Sequence, residues 1–278
     1  MAFDMIAAAV QLNSNADKAA NMDRAEHWIR LAAKTGAKLV VLPELFPCLA
    51  EFPRVLEAAE SIPGETSARM SNLARELGIY LCAGSLCERA QGNRGYNTSL
   101  FFAPTGEMLA RYRKIHLFDI RLSDQVEISE SSAILPGDDV VHCVHESIPF
   151  GFATCYDLRF PELFRELAAR GVEIICFPSA FTRITGRAHW HVLLRARAIE
   201  NQCYVVAANQ VGQHAPRLTS FGHSMIIDPW GSVLAEADDQ HEAFIHARIN
   251  SNELVKMRDS LPAQKHRKLF FNTVRTDC

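Results

Sequence analysis

YNTSLFFAPTGEMLARYRK, residues 96–114, decides what kind of sheet this chain forms. Two runs typical of β-strands, 96–104 and 106–114, meet at the turn residues Pro-Thr-Gly, and this pattern predicts a β-hairpin. Because a hairpin makes its two strands antiparallel, the sheet that contains it is not purely parallel. Wherever parallel strands accompany this hairpin, the sheet is therefore predicted to be mixed.

On either side of the hairpin, short β-rich runs alternate with helical runs. The first predicted helix, 16–36, has Asn13 and Asn15 as candidate caps and Gly36 as its end. The predicted strands are 5–12, 37–43, 79–86, 96–104, 106–114, 141–155, 173–181, 203–211, 221–228 and 242–249. The further predicted helices are 67–78, 161–170 and 189–202.

These elements predict an α/β (α+β) fold in which two mixed sheets pack together and helices flank them. The length of 278 residues fits one large domain or two smaller ones. No linker, repeat or low-complexity region interrupts the pattern. We therefore expect a single domain over residues 1–278, with a C-terminal tail from about residue 263.

The composition argues against several classes of function. With 48% hydrophobic and 22% charged residues and a net charge of −3, the chain has no basic field for nucleic acid or an anionic membrane surface. No run approaches the roughly 18 apolar residues of a membrane span, and Asp4 stands where a signal peptide needs positive charge. We expect a cytoplasmic protein.

Motifs of several other chemistries are missing from the sequence. There is no G-x-S-x-G elbow, no G-x-G-x-x-G and no P-loop, so neither a serine hydrolase nor a nucleotide cofactor is predicted. The eight cysteines form no C-x-x-C pair, and most lie in apolar runs that predict core positions. His189 and His191 lie two apart on a predicted helix and point to different sides, so no metal is expected.

Three residues of catalytic type stand at the ends of apolar strands. Glu44 follows KLVVLP, Lys114 closes MLARYRK and Cys155 closes FGFAT. Ligands of α/β folds bind beyond the carboxyl ends of strands, so side chains distant in sequence can meet there. A thiol attacks a carbonyl when a carboxylate removes its proton, and an ammonium beside a backbone N–H stabilises the oxyanion. This chemistry makes Glu44 the base and assigns the oxyanion to Lys114 and the amide of Tyr156.

Each of the three residues also has an ordinary alternative. Glu44 suits a helix N-terminus, Lys114 suits a solvated surface, and Cys155 suits a small buried core position. The combination of a base, a cation and a nucleophile at strand ends favours the catalytic interpretation over three separate structural ones.

The segments VVLPEL (40–45), RYRKIHLFD (111–119) and CYDLRFPEL (155–163) resemble the catalytic blocks of the nitrilase superfamily, the carbon–nitrogen hydrolases. The resemblance extends from about residue 6 to residue 268. It implies a four-layer α-β-β-α sandwich that pairs into homodimers or larger homo-oligomers. It also implies a Glu–Lys–Cys triad, here Glu44, Lys114 and Cys155.

The same resemblance implies a second glutamate between the lysine and the cysteine. In QVEISESSAILPGD, residues 125–138, the candidates are Glu127 and Glu130. The Glu-Ser pair followed shortly by Pro-Gly is similar to the pattern of the family, and this favours Glu130. Its implied role is to position the lysine and the substrate.

Within the superfamily, residues 177–212 and 220–231 are most similar to the deaminated-glutathione amidase branch. That resemblance implies hydrolysis of a linear amide of deaminated glutathione to 2-oxoglutarate and cysteinylglycine, through a cysteine thioester, as metabolite repair. The substrate is then a small molecule with carboxylates, which arginine holds bidentately. The candidate binding residues are Arg159, Arg183 and Arg187, with Thr182 and Thr185 as hydroxyl donors.

Three other functions stay open from the sequence. An ω-amidase acting on 2-oxoglutaramate would use the same triad on a smaller dicarboxylate, and an N-carbamoyl amidohydrolase is a more distant possibility. These enzymes differ in pocket shape, which spacing does not reveal. A non-catalytic interaction module with the same fold is a remote alternative, since such a module would not need Glu44, Lys114 and Cys155 together.

Overall fold

The computed structural model of the protein describes residues 3–123 and 126–269. Its strands are β1 (Asp4–Gln11), β2 (Ala37–Val41), β3 (Tyr80–Arg89), β4 (Gly95–Phe102), β5 (Met108–Arg113), β6 (Asp119–Ser123), β7 (Val126–Ser129), β8 (Ile134–Leu135), β9 (His142–His145), β10 (Ile148–Phe152), β11 (Ile174–Ser179), β12 (Tyr204–Asn209), β13 (Val211–Ala215), β14 (Leu218–Phe221), β15 (Met225–Ile227), β16 (Val233–Glu236) and β17 (Ala243–Asn250). Its α-helices are α1 (Lys18–Lys34), α2 (Phe52–Glu57), α3 (Glu65–Leu77), α4 (Pro161–Ala169), α5 (Arg183–Asn201) and α6 (Ser251–Ser260). Short 3-10 helices cover Glu130–Ser132 and Cys155–Arg159.

Most of these strands belong to two mixed sheets. The first has the order β17-β1-β2-β3-β4-β5, with β8 beside β4. The second has the order β16-β15-β12-β11-β10-β9. Parallel strands form the centre of each sheet, β1 to β3 in the first and β10 to β12 in the second, and antiparallel strands flank them. The predicted hairpin is β4 and β5, so the mixed character of the sheet is confirmed.

The alternation of side chains along the central strands produces four layers. Val41 of β2 and Cys176 of β11 face each other's sheet in one shared inner core. Their neighbours Val40 and Ile175 point outward, Val40 toward α1 and α3 and Ile175 toward α4 and α5. A strand buried on both faces has few polar positions, which is why these strands are almost continuous apolar runs. The predicted α-β-β-α sandwich is confirmed.

The start of α1 corrects one prediction. Its N-cap is Asp17, whose Oδ1 accepts the Ala20 N–H at 3.1 Å, so Asn13 and Asn15 were wrong as caps. Asn15 instead accepts the Asp17 N–H at 2.8 Å and supports the turn before the helix. A carboxylate immediately before the first helical residue reaches the free N–H groups of the first turn, whereas a side chain two positions earlier does not.

The start of α5 corrects another prediction. The helix begins at Arg183 rather than at residue 189, so Arg183 and Arg187 lie on its first turns and not in a loop. Gly186 disfavours a helix in the sequence, but the Phe221 ring packs against it, and a Cβ at this position would lie 2.4 Å from Phe221 Cγ. Tertiary packing therefore overrides the local propensity. The strands within 119–139 and the helix α6 were not predicted either.

The helices and cysteines of the described ranges bear on two predictions, the absence of a membrane span and the burial of most cysteines. Among the helices in these ranges, none combines the length and the apolar composition that a bilayer span requires. The cysteines in these ranges are free thiols, and all except Cys143 are buried, which confirms that most are core residues. Cys278 and the end of the predicted tail, residues 270–278, lie outside the described residues.

Candidate active site

Glu44 lies beyond the carboxyl end of β2, in a turn whose backbone is fixed from several sides. Its N–H donates to the Ser179 carbonyl at 3.3 Å, and its carbonyl accepts from Gln210 Nε2 at 3.0 Å. The next residue, Leu45, has a φ of +49°, a left-handed conformation that is uncommon for leucine. Strained residues of this kind are concentrated at functional sites, where the surrounding structure holds them in place.

The Glu44 carboxylate is almost fully buried and both of its oxygens accept hydrogen bonds. Oε1 accepts from Lys114 Nζ at 2.9 Å and from Asn97 Nδ2 at 2.7 Å. Oε2 accepts the Ala180 N–H at 2.8 Å, just past the end of β11. Partners from both sheets therefore fix the orientation of this carboxylate, which is the condition for a positioned general base.

Lys114 follows β5, and only 2% of its surface is exposed. Its N–H donates to the Asn97 carbonyl at 2.8 Å, and its carbonyl accepts the Gly137 N–H at 2.8 Å. Nζ bridges two carboxylates, Glu44 at 2.9 Å and Glu130 at 2.8 Å. Burial alone would lower the pKa of Lys114, but the negative charges of Glu130 and Glu44 raise this pKa well above its ordinary value. The side chain is therefore an ammonium at neutral pH.

Glu130 begins a 3-10 helix and directs its carboxylate at Lys114. Its Oε2 also accepts the Phe118 N–H at 2.6 Å, and its Oε1 accepts from Asn97 Nδ2 at 3.2 Å. The structure thus places Glu130 beside the ammonium. The side chain of Glu127, the other candidate, lies outside the described part of the chain.

Cys155 lies just past β10 as the first residue of a 3-10 helix, with a φ of +48°. Burial raises the pKa of its thiol and the Glu44 carboxylate raises it further, while Lys114 and Ser179 lower it. The raised pKa keeps the thiol protonated at neutral pH. Tyr156 follows in the same helix, and the N–H groups of a first helical turn have no acceptor inside the helix.

Asp157 connects the cysteine turn to the lysine segment. Its carboxylate is fully buried and accepts the Thr154 N–H at 2.8 Å and the Tyr112 hydroxyl at 2.6 Å. It also accepts the His116 N–H at 3.0 Å and contacts His116 Nδ1 at 2.7 Å. One carboxylate therefore fixes the residues that flank Cys155 and those that flank Lys114.

A cavity of about 450 Å³, which we call the catalytic cavity because the predicted catalytic side chains line it, opens onto these groups. Glu44, Lys114, Glu130 and Cys155 all line it, so the four predicted catalytic side chains share one space. Its apolar wall consists of Leu45, Leu49, Phe52, Phe118, Ile128 and Leu218. A mostly apolar cleft with a few convergent polar groups is the usual form of a small-molecule site.

The predicted substrate-binding residues are divided among several places. Thr182 lines the catalytic cavity and also a neighbouring cavity of about 310 Å³, which Arg183 and Arg187 line as well. Thr185 is buried and its hydroxyl lies 2.8 Å from that of Thr182. Arg159 is not among the described residues that line either cavity. Its guanidinium instead lies over the ring of Phe181, at 5.3 Å from the centroid.

The structure adds residues that the sequence did not single out. Asn97 donates to both Glu44 and Glu130, Ser179 lies beside Cys155, and Arg217 lines both cavities. The signal for Asn97 was a carboxamide at the start of the strand YNTSLFF. Arg217 gave no comparable signal, because its place over the cavity depends on the β13–β14 hairpin.

The histidines of HWH do not act together, as the helical spacing predicted. His189 Nδ1 lies 3.2 Å from an Arg159 nitrogen, whereas His191 Nε2 lies 2.8 Å from Glu236 Oε1. His223 Nδ1 contacts the same Glu236 oxygen at 2.6 Å. The possible ligand atoms of His191, His223 and Glu236 lie within 4.8 Å of one another, and these residues do not line the catalytic cavity. They could hold a cation only by giving up their mutual hydrogen bonds.

Comparison with known proteins supplies relatives for this arrangement. The carbon-nitrogen hydrolase family matches the chain over residues 6–259. The deaminated glutathione amidase of Synechocystis sp. is 41% identical over 266 residues, covering 94% of this chain and 97% of the relative. The human omega-amidase NIT2 is 39% identical over 261 residues, covering 94% of each chain.

A solved structure shows the same likeness in three dimensions. The crystal structure of the C. elegans NitFhit protein superposes on this chain with a TM-score of 0.89 at 36% identity, covering 95% of this chain and 65% of that one. The sequence match, the shared fold and the relatives lead to one conclusion. The chain belongs to the carbon–nitrogen hydrolase family and is a hydrolase that acts on carbon–nitrogen bonds.

Proposed function

We propose that this protein hydrolyses the amide of deaminated glutathione to 2-oxoglutarate and cysteinylglycine, with Cys155 as the nucleophile, and so repairs a damaged metabolite. One observation carries the catalytic part. The Lys114 ammonium, held between Glu44 and Glu130, opens onto the same cavity as the Cys155 thiol. The similarity to deaminated glutathione amidases supports the choice of substrate.

In the first half of the reaction, Glu44 removes the thiol proton as Cys155 Sγ attacks the scissile carbonyl carbon. The carbonyl oxygen becomes an oxyanion. When the tetrahedral intermediate collapses, the carbon–nitrogen bond breaks, Glu44 returns the proton to the departing nitrogen, and cysteinylglycine leaves. The remaining acyl group is a thioester on Cys155.

In the second half, Glu44 takes a proton from water as the water oxygen attacks the thioester carbon. The carbon–sulfur bond breaks, the proton passes from Glu44 to the sulfur, and 2-oxoglutarate leaves. The buried Glu44 carboxylate, held by Lys114 and the Ala180 N–H, serves both proton transfers without changing place. Transfers of this kind contribute about 10²–10⁴-fold in rate.

Lys114 and the Tyr156 N–H stabilise the oxyanion in this proposal. An ammonium has three N–H donors, and two of those of Lys114 are used by Glu44 and Glu130. The third is available to the oxyanion. Because the pKa of Lys114 is raised, the ammonium keeps its charge throughout the reaction. Removal of one oxyanion donor costs about 2.7–4 kcal/mol in comparable enzymes.

The second candidate is an ω-amidase that acts on 2-oxoglutaramate. The similarity to the human omega-amidase supports it, at slightly lower identity than the deaminated glutathione amidases. The same triad would release ammonia instead of a dipeptide. We place this function, and the N-carbamoyl amidohydrolase, second. A non-catalytic module is disfavoured because a buried ammonium between two buried carboxylates is costly to maintain without a function.

The test is product release from deaminated glutathione and, in parallel, from 2-oxoglutaramate. We expect wild type to prefer the tripeptide and Cys155→Ala to be inactive on both substrates. Cys143→Ala removes a thiol that is not among the described residues lining the cavity, and it should keep wild-type activity. Mass spectrometry after rapid acid quench should detect the acyl group on Cys155.

The outcomes separate the parts of the proposal. Preference for 2-oxoglutaramate would keep the mechanism and replace the substrate. A Cys155→Ser variant with the wild-type rate would overturn the thioester mechanism. Activity on neither substrate would refute the substrate assignment, and alkylation of Cys155 would then still test whether the thiol is accessible to small molecules in the cavity.

A further inference from the structure

Arg217 lies in the turn between β13 and β14, and its side chain lines both the catalytic cavity and the neighbouring one. The guanidinium is exposed and forms no ion pair or hydrogen bond with any residue in the described ranges. An unneutralised guanidinium at the junction of two cavities is therefore free to bind an anionic ligand.

The catalytic cavity needs such a cation if its substrate carries a carboxylate. Lys114 is already surrounded by Glu44 and Glu130, and a further carboxylate, Glu51, lines the same cavity. These acidic groups repel a second carboxylate in the cavity. Among the described lining residues, Arg217 is the cation that could offset this repulsion.

The charged side chains that line the neighbouring cavity are all positive. Arg183, Arg187 and Arg217 line it, and no acidic side chain is among its described lining residues. Arg183 is paired with Asp239 at 3.2 Å, whereas Arg187 has no ion-pair partner in the described part of the chain. The cavity also lies at the N-terminus of α5, where the Thr182 hydroxyl contacts Thr185 rather than capping the helix. Arg187 and Arg217 thus remain available for anions.

We infer that the two free arginines divide the two carboxylates of the substrate between them. Arg217 binds the carboxylate of the acyl part, which stays on Cys155 after the first step. Arg187 binds the terminal carboxylate of the departing dipeptide. A tripeptide-sized substrate extends over about 10 Å, and the two adjoining cavities share Ile128, Thr182 and Arg217 along such a path. This inference rests on the proposed function.

This division predicts that the two arginines differ in which substrates they affect. Both deaminated glutathione and 2-oxoglutaramate have the acyl carboxylate, but only the tripeptide has the second one. Arg217→Gln should therefore lower kcat/KM about tenfold or more on both substrates, because a charged hydrogen bond is lost. Arg187→Gln should lower kcat/KM about tenfold on deaminated glutathione and leave 2-oxoglutaramate within about twofold.

A modified substrate tests the pairing itself. In the glycinamide form of deaminated glutathione, the terminal carboxylate is replaced by a neutral amide. Arg187→Gln should have no effect on cleavage of this analogue, whereas Arg217→Gln should keep its full effect. Arg217→Lys should recover part of the loss, because the charge returns without the bidentate geometry. Arg75→Gln, on α3 and outside the described lining of both cavities, is the matched control and should resemble wild type.

Three results would overturn the inference. The first is an Arg217→Gln variant that keeps the wild-type kcat/KM on both substrates. The second is an Arg187→Gln variant whose kcat/KM falls equally on both substrates, and the third is a fall in kcat/KM of Arg187→Gln that persists with the glycinamide substrate. If wild type cleaves neither substrate, the proposed function fails, and protection of Cys155 from iodoacetamide by 2-oxoglutarate decides the role of Arg217. Arg217→Gln should then need about tenfold more 2-oxoglutarate for half protection, and equal protection would refute the role.

Discussion

Lys114 is the residue on which the charge of the site depends. Its single positive charge faces the carboxylates of Glu44 and Glu130, so the buried centre is already net negative. A thiolate at Cys155 would add another negative charge to this buried site. This explains why burial and Glu44 raise the pKa of the thiol. At neutral pH the site therefore holds a thiol beside a carboxylate, and in the proposed mechanism the thiolate forms only during attack.

This balance predicts how the thiol titrates when Glu44 loses its charge. In Glu44→Gln, the negative charge that raises the pKa of Cys155 is gone, while Lys114 still lowers this pKa. The rate of Cys155 alkylation by iodoacetamide increases with pH as the thiolate forms. We expect this increase to occur at lower pH in Glu44→Gln than in wild type. Peptide mass spectrometry that follows the Cys155 fragment between pH 6 and 10 measures the shift.

The control for this experiment is a buried thiol outside the site. Burial raises the pKa of Cys203 to about 12, and Glu44→Gln should not change its alkylation. If the pH dependence of Cys155 alkylation is the same in Glu44→Gln as in wild type, or moves to higher pH, the electrostatic account of the site is contradicted. Turnover by Glu44→Gln should be lost in either case, since no base remains in contact with the thiol.

Residue type and strand position predicted part of this site. Glu44, Lys114 and Cys155 stand directly after apolar strands, and the carboxyl ends of neighbouring strands converge in α/β folds. Asn97 has only a weak signal in the sequence, a carboxamide at the start of a strand, and Arg217 has none. Their relevance depends on which distant side chains they face after folding, and the local sequence pattern carries no information about that.

At the scale of elements, the β13–β14 hairpin determines where Arg217 lies. His214 holds this hairpin to the loop after β1, because its Nδ1 lies 2.7 Å from the Ser14 carbonyl and its Nε2 lies 2.9 Å from Ser220 Oγ. Burial lowers the pKa of His214 to about 4, although the bond to Ser14 opposes this shift. The imidazole is therefore neutral in the folded protein.

This lowered pKa predicts a loss of stability in mild acid. The unfolded chain binds a proton at His214 near pH 6.5, whereas the folded chain does so only near pH 4. The stabilisation is therefore complete above about pH 6.5, and up to about 3 kcal/mol of it is lost as the pH falls to about 4. Glutamine is not protonated in this pH range. We therefore expect His214→Gln to lack this pH-dependent loss of stability.

Urea unfolding of wild type and His214→Gln at pH 7.5 and pH 4.5 measures the difference. The free energy of unfolding should fall more steeply for wild type, and His27→Gln, at an exposed position on α1, should behave as wild type. Equal losses for wild type and His214→Gln would show that other groups account for the acid sensitivity.

The elements themselves were predictable to different degrees. Strands buried on both faces, such as β2 and β11, are apolar throughout, and hydrophobicity alone identifies them. The beginning of α5 was missed because Gly186 is there to admit the Phe221 ring, which is a tertiary requirement. Strands β6 and β7 are short and, among the residues that the structure describes, pair only with each other, so they lack the continuous apolar run of a core strand.

At the scale of the whole molecule, pairing into homodimers stays a prediction from the resemblance. The outer face of α5 exposes Val192 and Ile199, with Trp230 nearby, and these are 67%, 45% and 64% exposed. The adjacent β16 is an edge strand of the second sheet and exposes Val233 and Leu234. Exposed apolar side chains beside an open sheet edge are typical of a covered surface, and we expect a second copy to cover this one.

Sedimentation velocity tests this expectation directly. Val192→Lys combined with Ile199→Lys should convert the dimer to a monomer, because each copy would bring two charges into an apolar contact. Val255→Lys, at a similarly exposed position on α6, is the matched control and should leave the dimer intact. A monomeric wild type, or a doubly substituted protein that still sediments as wild type, would contradict the expected interface.

The predicted catalytic groups, a base, a cation and a nucleophile, come from opposite halves of the sandwich. Glu44 and Lys114 follow strands of the first sheet, and Cys155 follows a strand of the second. During synthesis, the base and the cation leave the ribosome before the nucleophile does. A partly made chain therefore carries a Cys155 thiol with the ordinary pKa of a free cysteine and without the Glu44 carboxylate held beside it. In the proposed mechanism, reactivity toward amides is therefore acquired only when the two halves close on each other and bring the Glu44 carboxylate to the thiol.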